Sequence, residues 1–283
     1  MKSRIISIFL CLLIFVCLLS SCHRECKELK CIDVKLTSEE YAYAVNKENT
    51  ELLATVNQLL SEIKSNGTLD GIVNKYFSND TSKIKTYDKG EELPCKDQLI
   101  VATHIPFSPF EYQIGERYCG IDIEIASLIA EKLNLELVIK EYSFNDILTA
   151  VENNEVDIAM AALTVSSDRE SRVAFTDTYF EASQILVAKA DDTTFDSCQT
   201  TEDVIKILRG MNKGTKIGYQ KGTVSESYIV GNQKLKFTGF NTDKIGFDSA
   251  LDAIKALKNG DINYVIVDEG PGKIIVDQLN KQN

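Results

Sequence analysis

A chain of 283 residues with a formal net charge of −11, no tryptophan and only four prolines is long enough for one large or two modest domains. The acidic balance argues against a nucleic-acid partner, which attracts basic surfaces. Small ligands stay open, because one site can be locally positive on an acidic protein.

At the N-terminus, Lys2 and Arg4 precede a mainly apolar run over residues 5–19, followed by Leu19-Ser20-Ser21-Cys22. That run is shorter than the roughly 20 residues of a membrane span, so residues 1–21 are predicted to be a secretory signal. Small residues before a cysteine resemble a bacterial lipobox, which implies cleavage and lipid on Cys22. An uncleaved signal anchor is the alternative. Either way the remainder lies outside the cytoplasm and is attached to a membrane. One acyl chain holds weakly, so multiple acylation matters to such an anchor. When the two cations of the signal leave, the charge passes from −11 to −13. Of the eight cysteines, Cys11 and Cys17 go with the signal and Cys22 carries lipid. Cys26, Cys31, Cys95, Cys119 and Cys198 remain in a compartment that permits disulfides. An odd number cannot all pair and the spacings match no metal motif, so neither a bridge nor a metal is expected.

Residues 22–30 are charged and read as a tether. Strands are predicted over 31–36 and 41–45. A helix follows over 49–65, with Leu52, Leu53, Val56, Leu59, Leu60 and Ile63 at helical spacing. Asn66-Gly67 ends it, and Thr68 can cap a shorter helix through Ile72, Val73 and Phe77. Residues 78–97 are polar and read as a linker.

An α/β pattern starts at Gln98. It runs as a strand over 99–103, a loop over 104–110, a helix over 121–133, a strand over 135–140 and, after Phe144, a helix through Ile147, Leu148 and Val151. The stretch from Val156 to Arg169 comes next. Its first half is nearly all apolar and suits a strand buried on both faces. Its second half turns polar at Thr164, Ser166, Ser167, Asp168 and Arg169. Open α/β sheets hold ligands just past the C-terminal ends of such strands, and an arginine there offers a planar fork for a carboxylate. A capped helix with a solvated Arg is the bland alternative. Alternating strands and helices imply right-handed parallel crossovers. Residues 174–190 are extended and are predicted to leave this unit near Ala182. The pattern then restarts: helix 201–208, strand 216–219, a helix opened by Lys221-Gly-Thr-Val-Ser-Glu226, strand 237–240, helix 247–257, strand 263–267 ending at Asp268, and helix 274–279.

These residues resemble the extracytoplasmic solute-binding proteins of amino-acid ABC importers. The resemblance rests on Leu99-Ile-Val-Ala-Thr103 with Phe107-Ser-Pro-Phe110-Glu111, and on Gly120-Ile-Asp122-Ile-Glu-Ile-Ala126. It continues through Val156-Asp157 to Thr164 and Arg169, Phe175-Thr176-Asp177, Gly222-Thr223 and Asn263-Tyr-Val-Ile-Val-Asp268. It implies a two-lobed α/β fold of the type II periplasmic-binding-protein kind. One departure is large. The family continues past the last helix with a hinge strand and a helical pair, and residues 32–77 look like that missing tail. The chain is therefore expected to be circularly permuted, with residues 78–97 bridging the family's old ends. The expected division is lobe one over 31–183 and lobe two over 184–283, each continuous in sequence, with one crossing near 182–190.

The resemblance also implies a site for a free amino acid. Arg169 matches the carboxylate clamp, helped by Thr164 and by the helix start at Thr223 and Val224. Asp268 matches the ammonium partner on the other lobe, with the Ala162 backbone as acceptor. Phe107 and Phe144 match aromatics that sandwich the ligand's side chain, although as bare residues both more often serve a core. His104 and Gln220 occupy facing specificity positions, and His104 stands where many relatives have an acid. Amide and other hydrogen-bonding side chains, glutamine or histidine among them, stay open. The expected protein is a monomeric, lipid-anchored receptor for a polar amino acid, serving an ABC permease, with no cofactor and no catalysis. An enzyme on the same scaffold, a dehydratase of prephenate-like acids using His104 or Glu111, is one alternative. A binding partner of a sensor is another.

Overall fold

The computed structural model describes residues 28–78, 81–94 and 97–282. The predicted signal, the lipidation site Cys22, most of the tether and Cys26 and Cys95 lie outside the described residues. Cys31, Cys119 and Cys198 are free thiols.

Strand β1 (Leu29–Ile32) is followed by two short strands, β2 (Glu39–Tyr41) and β3 (Ala44–Val45). Helix α1 (Thr50–Ser65) starts where the Asn49 side chain accepts the Leu52 N–H, and it buries Leu52, Val56, Leu59, Leu60 and Ile63. Gly67, at φ 77°, turns the chain into α2 (Thr68–Phe77). The residue at the cap is thus Gly67, and Thr68 is already helical. Both helices dock on α3 (Ile121–Leu133) in one apolar cluster with Ile125, Ile129, Leu99 and Val101. A buried Lys75–Glu124 ion pair ties α2 to α3.

The first sheet contains β4 (Gln98–Thr103), with the hairpin β5 (Tyr112–Ile114) and β6 (Arg117–Cys119) outside it, then β7 (Glu136–Glu141). After α4 (Ile147–Glu152) come β8 (Ile158–Ala159), α5 (Ser167–Glu170) and β9 (Ala174–Phe175). Its order is β7-β4-β8-β3-β9. β4 runs parallel to β7 and β8, as the crossovers require, while β3 is antiparallel to both neighbours.

β10 (Phe180–Ala182) pairs with β2 as a two-stranded ribbon, Tyr41 opposite Phe180. It leads to β11 (Gln184–Lys189), α6 (Thr201–Gly210), β12 (Lys216–Gln220), α7 (Val224–Val230), β13 (Asp243–Phe247), α8 (Ala250–Asn259), β14 (Tyr264–Asp268) and α9 (Glu269–Lys281). The second sheet has the order β1-β11-β14-β12-β13. Two sheets with their own helices, joined by the β2–β10 ribbon, make the two-lobed α/β fold.

Three expectations need correction. The first strand sits at 29–32 rather than 31–36 and pairs with β11 of the second sheet, so the tether ends earlier and the second lobe is built from two separate stretches. The chain crosses between lobes twice, through residues 33–38 and again at 183. The cause is pairing: β11 is antiparallel to β14 on one edge and leaves the other edge to β1. Next, residues 237–240 form no strand. Phe237 and Phe240 pack edge-on against Tyr228 at 5.1 and 5.5 Å, and the strand beside β12 is Asp243–Phe247. Finally, the apolar run over 156–163 is strand only at Ile158–Ala159, because the chain then bends at Ala162 (φ 47°).

The two ends of the described chain meet. Leu29 N–H donates to Asn280 Oδ1 at 3.0 Å, and Asn280 Nδ2 donates to the Leu29 carbonyl at 2.9 Å.

Candidate ligand-binding cleft

Arg169 stands on α5, whose Ser166 cap receives the Arg169 N–H. Its guanidinium donates to the Thr164 carbonyl at 2.7 Å and, across the lobes, to the Gly222 carbonyl at 3.1 Å. The same group lies 5.4 Å from the centroid of the Phe144 ring, a cation–π distance. Burial lowers its pKa, while the charges of Glu39 and Asp268 pull the other way. Among the described residues this fork between lobes has carbonyls rather than a carboxylate as its hydrogen-bond partners.

Asp268 closes β14 from the other lobe and is 6% exposed. It accepts the Tyr41 hydroxyl from the ribbon and lies in register with Gln184. Burial, then the neighbouring Glu39 charge, raise its pKa to about 7.

Glu39 was not among the residues singled out from sequence, yet it joins these elements. One of its oxygens accepts Thr37 Oγ1 at 2.6 Å and Gln184 Nε2 at 3.1 Å; the other accepts Thr164 Oγ1 at 2.8 Å. A period-two signal was available. Tyr41 is buried, Glu40 is exposed, and Glu39 shares the Tyr41 face.

Ala162 holds its left-handed conformation through its N–H, which donates to Asp122 Oδ2 at 2.8 Å. Asp122 also accepts Tyr179 OH at 2.6 Å and Tyr43 OH at 3.3 Å. Burial pushes its pKa up to about 6. Glu111 lies beside it, 1% exposed, with no donor to either oxygen. Burial, then the Asp122 charge, push that carboxyl well above the usual carboxylate range.

Of the other predicted residues, Phe144 contacts the His104 ring edge-on at 5.9 Å, whereas the Phe107 ring packs on Phe110 at 6.1 Å. Thr223 and Val224 open α7 opposite Phe144, but the Thr223 hydroxyl is occupied by the Gln220 carbonyl at 2.7 Å and by Ser225 at 2.6 Å. Gly222 is where the lobes approach: at φ 77°, a Cβ there would lie 2.0 Å from Asn145 Oδ1 and 3.3 Å from Phe144. Lys234 meets Asp168 across the same gap at 2.5 Å. A cavity of about 220 Å³ remains between the lobes, lined by Phe144, Leu163, Arg169, Gly222, Thr223 and Val224 among others. A larger recess of about 900 Å³, against Phe77, Phe110, Phe180 and Ile274, contains none of the predicted binding residues. Chemistry rather than size selects the cleft.

Residues 99–230 match the family model of bacterial extracellular solute-binding proteins, family 3. The chain is similar to the arginine-binding extracellular protein ArtP of Bacillus subtilis, 28% identical over 174 residues, which are 62% of each chain. It is also similar to a probable histidine-binding protein of Neisseria gonorrhoeae, 28% identical over 170 residues, 59% of this chain and 58% of the relative. The chain thus spans less than two thirds of the length of these curated relatives. Among solved structures, an ancestral arginine-binding protein bound to arginine is 30% identical, with a TM-score of 0.54, over 65% of this chain and 75% of that one. An ancestral amino-acid-binding precursor of cyclohexadienyl dehydratase shares the fold at 22% identity and a TM-score of 0.55.

Proposed function

The chain belongs to the bacterial extracellular solute-binding proteins, family 3, and from that premise we propose that it is an extracytoplasmic receptor that closes on a polar L-amino acid and delivers it to an ABC permease. The observation that carries this reading is that Arg169 and Asp268, on opposite lobes, lie near enough for the Asp268 charge to act on the guanidinium without an ion pair between them. Their charges interact through a buried junction at the ribbon, one suited to a carboxylate and the other to an ammonium. A free amino acid supplies both, so it binds the closed arrangement better than the open one and shifts the population towards it. Thr164 and the Ala162 backbone complete the grip. Phe144 covers the side chain, and His104 and Gln220 face it.

In the same reading Cys22 carries lipid, and the order of elements is a circular permutation. One feature supports the permutation: the helical pair α1–α2 docks on the first lobe although it precedes it in sequence.

Thermal shift against the twenty amino acids tests the receptor reading. One or a few should raise the melting temperature in proportion to the logarithm of their concentration. Arg169→Ala or Asp268→Ala should remove the shift while leaving the lobes folded, since cutting one member of a charged, buried contact costs about 3–5 kcal/mol. Full titration in both variants would end this assignment.

A further inference from the structure

Glu111 is a buried carboxyl group that the proposed grip on the ligand leaves unused. It ends the loop after β4, where the Phe107 N–H donates to the Glu111 carbonyl at 2.7 Å and the Glu111 N–H donates to the Phe107 carbonyl at 3.1 Å. The start of α3 closes on this loop, because the Asp122 N–H donates to the Phe110 carbonyl at 3.0 Å. Gly120 permits the approach: at φ 131°, a Cβ there would stand 2.0 Å from the Phe110 carbonyl oxygen. The Glu111 and Asp122 side chains are thus held within hydrogen-bond reach of each other, both out of solvent.

Donors are unequally shared between the two. Asp122 has three, the Ala162 N–H and the hydroxyls of Tyr179 and Tyr43. No N–H or hydroxyl of another residue reaches either Glu111 oxygen. The remaining titratable groups that act on Glu111 are Asp268 at the end of β14 and the hydroxyls of Tyr41, Tyr43 and Tyr179, none of them a cation. Two carboxylates in contact away from water disfavour double ionisation, and a hydrogen bond between two carboxyl groups requires a proton on one of them. Asp122, with three donors, keeps the charge, and Glu111, with none, is the acid. We propose that Glu111 is a protonated positioning residue that donates its O–H to Asp122 and so steadies the acceptor beneath the Ala162 bend at the ligand cleft. An acid kept neutral in an apolar site can serve as a hydrogen-bond donor. Without it, the loop after β4 and the bend that leads to Thr164 and Arg169 are no longer tied through Asp122. The effect on binding rests on the amino-acid receptor reading, whereas the proton does not.

Glu111→Gln and Glu111→Met in the full chain separate the proton from packing. The glutamine amide can donate to Asp122 as the acid does, and methionine fills a similar volume with no donor. Thermal shift identifies which of the twenty amino acids stabilises the parent, and calorimetric titration then follows that amino acid. Glu111→Gln should bind within about threefold of the parent, and Glu111→Met at least about tenfold more weakly, as loss of a hydrogen bond to a charged group predicts. The infrared difference spectrum of parent minus Glu111→Gln at pH 8 should contain the carbonyl stretch of a protonated carboxylic acid. Absence of that band overturns the inference, and so does Glu111→Gln binding as weakly as Glu111→Met. A folded Glu111→Met that binds as the parent does overturns the positioning role. If Glu111→Met fails to fold, the band and the Glu111→Gln affinity still decide. No response of the parent to any amino acid removes the receptor reading itself and leaves the band to decide the proton.

Discussion

The carboxylate of Asp122 accepts the backbone N–H of Ala162 at 2.8 Å, and Ala162 is one of four non-glycine residues with positive φ among the described residues. A Cβ-bearing residue in the left-handed region is disfavoured locally, so the bend persists because an acceptor is fixed beneath it. Tyr179 and Tyr43 hold that acceptor in place. Asp122 therefore acts on the cleft through the backbone it positions. Asp122→Asn keeps one acceptor oxygen and loses the charge that strengthens all three bonds. It should cost about 1–3 kcal/mol of stability and weaken amino-acid binding at least tenfold. Ala162→Gly, which adopts the bend without strain, should change the melting temperature little and retain binding. Thermal melts and titration of both variants distinguish positioning from mere packing: a destabilised Asp122→Asn that binds normally would separate the two.

The raised pKa of Asp268 makes stability depend on pH with a definite sign. An aspartate in the unfolded chain titrates near pH ~3.9, and in the folded protein near about 7. Between these values the native state holds a proton that the unfolded state has released, so the unliganded protein loses stability as pH rises through about 7. Ligand binding has the opposite demand, since an ammonium needs the ionised carboxylate. Titration at pH 6 should therefore release protons, seen as a binding enthalpy that changes with the ionisation enthalpy of the buffer. Asp268→Asn should flatten the melting temperature between pH 5 and 8.

Glu39 contributes to that shift. Its charge is the second cause raising Asp268, after burial. Glu39→Gln keeps an acceptor for Thr164 or Gln184 and removes the charge. The pH midpoint of the unliganded protein should move down by about one unit, a difference worth ~1.4 kcal/mol, read as a displaced melting-temperature profile. A profile that coincides with the parent's would show that burial alone sets the Asp268 pKa.

Helix α1 was legible because Leu52, Val56, Leu60 and Ile63 fall on one face. The reading of Arg169 rested on the resemblance, because a polar turn after a buried run suits a solvated arginine as well. Pairing was less legible, because strand partners are chosen by non-local contacts. The sequence Leu-Lys-Cys-Ile reads as a strand without saying which sheet it joins, and it joined the second. Asp243–Phe247 was missed because its Asp-Lys-Ile-Gly-Phe has no buried residue, while Phe237 and Phe240 mimic a strand from a loop. Glu39 was missed for another reason: with Glu40 beside it, only the alternation with Tyr41 reveals which carboxylate points inwards.

Closure itself can be tested at Gly222. Its φ of 77° favours glycine, and a methyl there would stand 2.0 Å from Asn145 Oδ1 on the opposite lobe. Gly222→Ala thus combines backbone strain of about 1 kcal/mol or more with a clash present only when the lobes are shut. The Gly222 backbone carbonyl accepts from the Arg169 guanidinium at 3.1 Å, so opening the gap also loosens the clamp. The expected outcome is a folded protein whose radius of gyration by small-angle scattering stays large on adding amino acid, with affinity lowered at least tenfold. Asn145→Ala in the same chain should restore part of the closure by removing the side-chain obstacle, leaving only the φ penalty. A Gly222→Ala protein that contracts on ligand addition as the parent does would show that this contact does not limit closure.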